Sequence, residues 1–170
     1  MICFKRPDMS RDKIPVTPAL LALKKHQVAF IPRPYKYEDH GGTRVSAREL
    51  GVPEHEVIKT LVMEDEHKAP LMILMHGDKE VSTKTLARLL GVKAVRPCDP
   101  KTVEKHTGYK VGGTSPFGTK KVIPLYMEET IASLPRILIN AGSRGLLAEM
   151  PPSELIRVLQ PIAVTVGVKS

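Results

Sequence analysis

The densest cluster of residues that could do chemistry is Thr107–Lys121, TGYKVGGTSPFGTKK, with four glycines, one proline and three lysines. Glycines let a ligand approach the main chain, and successive N–H groups can face an oxyanion or a carbonyl. Gly112 and Gly113, with Thr114, Ser115 and Pro116 beside them, are the candidate elements. Gly113–Lys120 comes close to a phosphate-binding loop, G-x-x-x-x-G-K-[ST], but Thr119 stands where the lysine belongs. The Lys121-Val-Ile-Pro that follows reads as a strand, whereas such a loop needs a helix N-terminus. Nucleotide triphosphate binding is therefore not expected. A tight turn between a helix and a strand would also use glycines, but about fourteen residues is long for a mere connection, and long loops often carry function.

Two further places draw notice. Lys59 interrupts the apolar run EVIKTLVM, either as the solvent side of an alternating strand or as a cation aimed into a pocket. Asn140–Gly145, NAGSRG, is a small-residue turn: a plain hairpin, or a second pocket wall in which Arg144 meets phosphate or carboxylate. The six histidines show no H-x-x-x-H spacing and are expected on the surface, so no metal is expected. Cys98, in RPCDP, reads as a packed small residue. There is no G-x-S-x-G elbow, and Ser115 has no evident histidine partner.

The elements that must position these residues can be read from caps and periodicity. Thr17 and Pro18 open a helix to His26. Val28–Glu38 is extended, with prolines that suit an edge. Ser46 and Glu49 form a capping box for a short helix that Gly51 closes. Val57–Met63 and Leu71–Met75 read as an antiparallel pair. Ser82 caps a helix that ends at Gly91, and Val92–Val95 follows as a strand. Asp99-Pro100 starts a helix to His106. Strands are expected at Val122–Leu125, Arg136–Asn140, Leu146–Met150 and Ile162–Val168, with a helix from Pro151 to Gln160. Hairpins mixed with helices favour an α+β fold with a mixed, mostly antiparallel sheet.

Composition bounds the rest. A length of 170 residues suits one domain, assigned here to residues 17–170, with 1–16 as an N-terminal extension and Met9 as an alternative start. The chain is 42% hydrophobic but only 4% aromatic, so its core must be aliphatic. No apolar run is long enough for a membrane helix, and the N-terminus lacks a signal-peptide core. Two cysteines suit a reducing, cytoplasmic setting. The net charge of +8 favours a polyanionic partner, nucleic acid before membrane.

KTLV at 59–62, GDKEVSTKTLARLLG at 77–91, TGYKVGGTSPFGTKK at 107–121 and INAGSRG at 139–145 together resemble the YbaK family of free-standing aminoacyl-tRNA deacylases, similar to the editing domain of bacterial prolyl-tRNA synthetases. The resemblance runs from about residue 17 to 166. It implies a curved, barrel-like sheet with surrounding helices. It implies a substrate, tRNA(Pro) carrying the wrong amino acid, most often cysteine, and it implies neither metal nor organic cofactor. Prolyl-tRNA synthetase becomes a candidate partner. The resemblance moves Lys59 to the functional side, as a pocket lysine that engages the tRNA 3′ end, with Thr60 beside it. It makes Tyr35 a pocket tyrosine and Gly112 the glycine that approaches the substrate carbonyl; Gly113, Thr114, Ser115, Pro116, Gly142 and Arg144 complete the site. Two positions depart from cysteine-specific relatives: Gly42 where some carry an aromatic, and Leu147 where some carry an acid. They leave deacylation of alanyl- or another small-residue tRNA as an alternative, beside a non-catalytic tRNA-binding adaptor.

Overall fold

The computed structural model describes residues 14–170. Cys3, the start at Met9 and most of the expected extension lie outside the described residues.

Local signals explain most of the helices. In α1 (Pro18–Lys25) the Thr17 hydroxyl accepts the Leu20 N–H at 3.1 Å. In α3 (Thr83–Leu90) Ser82 accepts from Thr85 N–H at 3.3 Å, and in α4 (Pro100–Thr107) Asp99 accepts from Thr102 N–H at 2.8 Å. Prolines open α5 (Pro152–Leu159). Helix α2 differs from the expectation. It spans Gly42–Leu50 with no side-chain cap, and Ser46 lies inside it, its hydroxyl donating back to the Thr43 carbonyl at 3.1 Å. The helix extends upstream of the capping-box motif and buries Val45, Ser46 and Ala47. It still ends at Gly51.

The strands are β1 (Ile31–Pro34), β2 (Val57–Asp65), β3 (Pro70–His76), β4 (Lys79–Val81), β5 (Val95–Pro97), β6 (Leu125–Glu128), β7 (Ile137–Ser143), β8 (Leu146–Met150), β9 (Ile162–Val164) and β10 (Gly167–Lys169). An eight-stranded sheet runs β1-β8-β7-β2-β3-β6-β9 with β5 added to β2, while β4 and β10 form a separate antiparallel pair. Pairings are antiparallel except β2–β7, β3–β6 and β6–β9. This is the expected α+β fold with a mostly antiparallel sheet. The sheet stays open, with β1 and β9 as its ends.

Three expected strands shift. Val92–Val95 starts late, as β5 (Val95–Pro97), because Val95 is the only buried residue of that run and pairing with β2 begins there. Val122–Leu125 is not a strand: Val122 is fully exposed and the Pro124 carbonyl accepts the Met72 N–H at 2.8 Å, so pairing begins at Leu125. Ile162–Val168 splits into β9 and β10. The buried Glu128 carboxylate takes the Val166 and Gly167 N–H groups at 2.9 and 2.6 Å, which a sheet partner would otherwise take.

The core divides across the sheet. Ile58, Leu74, Ile139, Ala148, Tyr109 and Phe117 belong to one cluster with α1 and α5 residues. On the other face Val57, Leu138 and Leu147 meet Ala47 of α2, and Met63, Ile73 and Met75 meet Leu86 and Ala87 of α3.

A candidate aminoacyl-ester site at a gap in the sheet

The site begins at an interruption in strand pairing. One edge of β2 pairs with β7 only at Val57 and Ile58, and with β5 only from Met63 to Asp65. Lys59–Val62 therefore faces a gap between two strands. The Val62 carbonyl is held by Cys98 N–H at 3.0 Å. Strand alternation places Lys59 with Val57 and Leu61, on the α2 and α3 face. By alternation from Leu138, Asn140 lies on the same sheet face as Lys59, one residue past the last β2–β7 pair. The Lys59 ammonium is half-buried and donates to the Lys79 carbonyl. Among the described residues it forms no ion pair. A cation held by one carbonyl keeps two N–H donors for a ligand.

The glycine-rich loop bridges this gap, leaving α4 near Val62 and reaching the β7–β8 turn. Its inner half is built as core. The Tyr109 hydroxyl donates to the Phe117 carbonyl at 2.6 Å, and burial pushes its pKa up to about 12. The outer half is clamped by two residues that the sequence reading passed over. Asn140 donates through Nδ2 to the Gly112 carbonyl at 2.8 Å and accepts the Gly142 N–H at 2.9 Å, tying loop to turn. Tyr37 abuts Gly112: a Cβ built there would lie 2.8 Å from its hydroxyl. Arg144 completes the clamp, its Nε donating to the Val111 carbonyl at 3.0 Å and its guanidinium lying 5.4 Å from the Tyr37 ring centre. The signals were present as the Asn of INAGSRG and an alternating YKY, but only the fold brings them to the loop.

The other expected site residues divide. Tyr35 lies on the Lys59 face against Ala47, Val57 and Leu147; burial raises its phenol pKa, and its N–H donates to the Gly145 carbonyl at 2.9 Å. Gly113 N–H is already engaged with the Lys110 carbonyl at 2.9 Å, whereas Gly112 N–H has no acceptor among the described residues. Thr114, Ser115 and Pro116 are buried: the Thr114 hydroxyl donates to Lys110 O at 3.2 Å and Ser115 Oγ accepts Phe117 N–H at 3.2 Å. Their side chains serve the loop. Thr60 points to the opposite sheet face from Lys59, its hydroxyl buried without a partner among the described residues. Gly142 packs under Tyr109 and Thr17. Leu147 is buried opposite Asn140, and a Cβ on Gly42 would meet nothing within 4 Å.

Two groups outside this cleft invite chemistry. Cys98 packs beside Val62, Met72 and Val103, and its thiol is pushed up to about 11, first by burial and then by Glu64 and Asp99. It is mostly protonated at neutral pH. His55, His76 and Asp78 bring ligand atoms within 4.8 Å of one another. His76 is fully buried rather than on the surface as expected, with Nδ1 2.8 Å from the His55 carbonyl and Nε2 2.7 Å from the Thr130 hydroxyl. Its ring stacks on His55 at 3.7 Å and 4°. Stacked parallel rings direct their in-plane lone pairs side by side, not onto one ion, and both His76 nitrogens are spent.

A half-buried lysine and a free main-chain donor, with no activated nucleophile found among the described residues, suit an ester already primed for cleavage. Residues 41–158 match the aminoacyl-tRNA editing domain, and the chain belongs to that family. It is 32% identical over 82% of its length to 86% of the Enterococcus faecalis protein named "Putative Cys-tRNA(Pro)/Cys-tRNA(Cys) deacylase EbsC". Half of it is 29% identical to a 15% portion of the proline–tRNA ligase of Brachyspira hyodysenteriae. Its fold superposes with TM-score 0.77 and 21% identity on a structure titled "Crystal structure of a putative trans-editing enzyme for prolyl tRNA synthetase", covering 90% of this chain and 95% of that one. No described helix is long and apolar enough to cross a membrane.

Proposed function

We propose that this protein is a trans-acting deacylase of the cytoplasm that removes a mischarged amino acid, cysteine first, from tRNA(Pro), alongside prolyl-tRNA synthetase. The observation that supports this most is a half-buried Lys59 on the stretch of β2 that neither β7 nor β5 pairs, together with a Gly112 N–H that has no acceptor among the described residues. Lys59 holds the terminal nucleotide through its free N–H donors. Gly112 N–H donates to the oxygen that gains charge as the ester carbonyl becomes tetrahedral, a contact worth most in the transition state. Gly113 shapes the turn, Tyr35 walls the pocket, and Arg144 holds the loop while offering its outer N–H groups to phosphate.

With Cys98 protonated and Ser115 buried, the nucleophile comes from the substrate. The cysteine thiol loses its proton and attacks its own ester carbonyl. A C–S bond forms, the C–O bond to the ribose breaks, and the proton goes to the ribose oxygen. The product is a cyclic thioester, which water later opens. Orientation of thiol and carbonyl supplies the rate. A second reading, hydrolysis of Ala-tRNA by water, is favoured by Leu147, which leaves this wall of the cleft apolar. The test is parallel cleavage of Cys-, Ser- and Ala-charged tRNA(Pro). Self-attack by a thiol requires Cys well above Ser, because a thiolate is accessible near neutral pH and an alkoxide is not. Fastest cleavage of the Ala ester, with the Cys ester surviving, overturns the cysteine assignment.

A further inference from the structure

The chain's charge is unevenly placed. Residues 83–121 hold nine Lys and Arg against two Asp and Glu, and so carry +7 of the total +8. All nine are exposed, and among the described residues only Arg96 is in an ion pair, with Glu64 at 3.6 Å. The fold divides these cations between the two sheet faces. Val103 packs α4 on Val62 and Met72, so Lys101, Lys105 and Lys121, whose ammonium lies 3.4 Å from His106, sit on the face away from Lys59. Leu86 and Ala87 pack α3 on Met63 and Met75, the Lys59 face.

Lys84, Arg88 and Lys93 line one groove between α3 and β5. Lys84 and Arg88 are four residues apart and share a helix side, and TKTLARLL contains no acid to offset them. Of the carboxylates on the neighbouring β2 end, Glu66 is occupied by the Lys93 and Ala94 N–H groups at 3.1 and 3.4 Å, Asp65 accepts the His67 and Ala69 N–H groups at 2.8 and 3.0 Å, and Glu64 meets Arg96. β5 joins β2 at Met63, four residues, or about 13 Å of strand, from Lys59. Unpaired like charges repel, and a polyanion relieves that repulsion by releasing its own counterions.

We propose that this α3–β5 groove holds backbone phosphates of the RNA whose 3′ end enters the Lys59 gap. The inference rests on the deacylase reading and adds where the RNA body lies: across the Lys59 face, with the α4 lysines outside the footprint. Phosphate contacts here set register and carry no base reading.

The test is tRNA binding across a salt series for wild type, for Lys84→Ala/Arg88→Ala/Lys93→Ala, and for the charge-matched Lys101→Ala/Lys105→Ala/Lys121→Ala. Each lost phosphate contact lowers the slope of log K against log salt by about 0.7–0.9. The groove variant should therefore lose about 2–3 units of slope, and the α4 variant less than one. On aminoacyl-tRNA the groove variant should raise KM and keep kcat, and it should cleave a short aminoacyl-adenosine ester as wild type does. An unchanged slope in the groove variant, an equal or larger loss in the α4 variant, or no tRNA binding by wild type overturns the inference. If wild type binds tRNA but cleaves neither ester, the deacylase reading fails, and the slopes still decide the groove.

Discussion

Replacing two loop glycines by alanine should separate chemistry from folding. Gly112 has φ +89°, and a Cβ there would lie 2.8 Å from the Tyr37 hydroxyl. A left-handed alanine costs about 1–2 kcal/mol. The overlap is with the end of a half-exposed side chain, which can swing away, so stability should fall by little more. For a chain of this size that is about 2–8 °C in Tm. The swing has a consequence for the site: Tyr37 lies under Arg144, which holds Val111, so the loop shifts with it. Misplacing a reacting group by about 1 Å can cost about 100-fold in rate. Gly118 has φ +65°, and its added Cβ would lie 2.5 Å from the Pro18 carbonyl oxygen, main chain at the capped start of α1. That group cannot yield without moving the helix. Strain of about 1–2 kcal/mol and overpacking of about 1–3 kcal/mol add to a Tm loss of about 4–20 °C. The assay is thermal melting of both variants with kcat/KM on aminoacyl-tRNA per folded molecule. Gly112→Ala should lose activity with a modest Tm change, and Gly118→Ala should do the reverse. Equal activity losses per folded molecule, or a fully active Gly112→Ala, would refute the assignment of Gly112 to the substrate.

Other outcomes follow from the same contacts. Asn140→Ala frees the Gly112 carbonyl and Gly142 N–H; activity should fall at least tenfold, with Tm changed by no more than a few degrees, and Asn140→Asp, which lacks the Nδ2 donor, should not restore it. Tyr109 is almost fully buried and its pKa is raised from 10.0 to about 12, so the folded state keeps a proton that the unfolded state releases above pH 10. Stability from this group should be complete below pH 10 and decline by about 2–3 kcal/mol toward pH 12, and Tyr109→Phe should flatten that limb in pH-dependent denaturant melts. Burial lowers the His76 pKa below 6.5, the opposite sign for a base, so the unfolded state binds more protons as pH falls through 6.5. Stability should therefore drop on the acid side of that value, and His76→Gln should remove that part of the slope.

The sequence made the helix boundaries of α3 and α4 legible because their caps are local: Ser82 and Asp99 accept bonds three residues on, and Gly91 and Gly108 end the helices. The same rule misplaced α2, because a capping-box motif at Ser46 cannot show that Val45 is buried one residue upstream. His76 read as a surface residue because its partners, the His55 carbonyl and Thr130, are distant in sequence. The loop's glycines pointed to close approach. Which of its N–H groups is free depends on the Lys110 turn and the Asn140 clamp, which are products of tertiary structure. The gap at Lys59–Val62 was invisible for a similar reason: it arises because β7 and β5 share one edge of β2 without meeting.

The central claim is that the Lys59 ammonium holds the terminal nucleotide of the aminoacyl-tRNA and so positions the ester for cleavage. Single-turnover deacylation of Cys-tRNA(Pro) by Lys59→Ala, set beside its melting curve, tests it directly. Lys59 contributes one main-chain hydrogen bond to the fold, so Tm should shift by only a few degrees. The rate should fall at least about 100-fold, the cost of misplacing the reacting ester. A folded Lys59→Ala protein that deacylates within a few-fold of wild type would contradict the account.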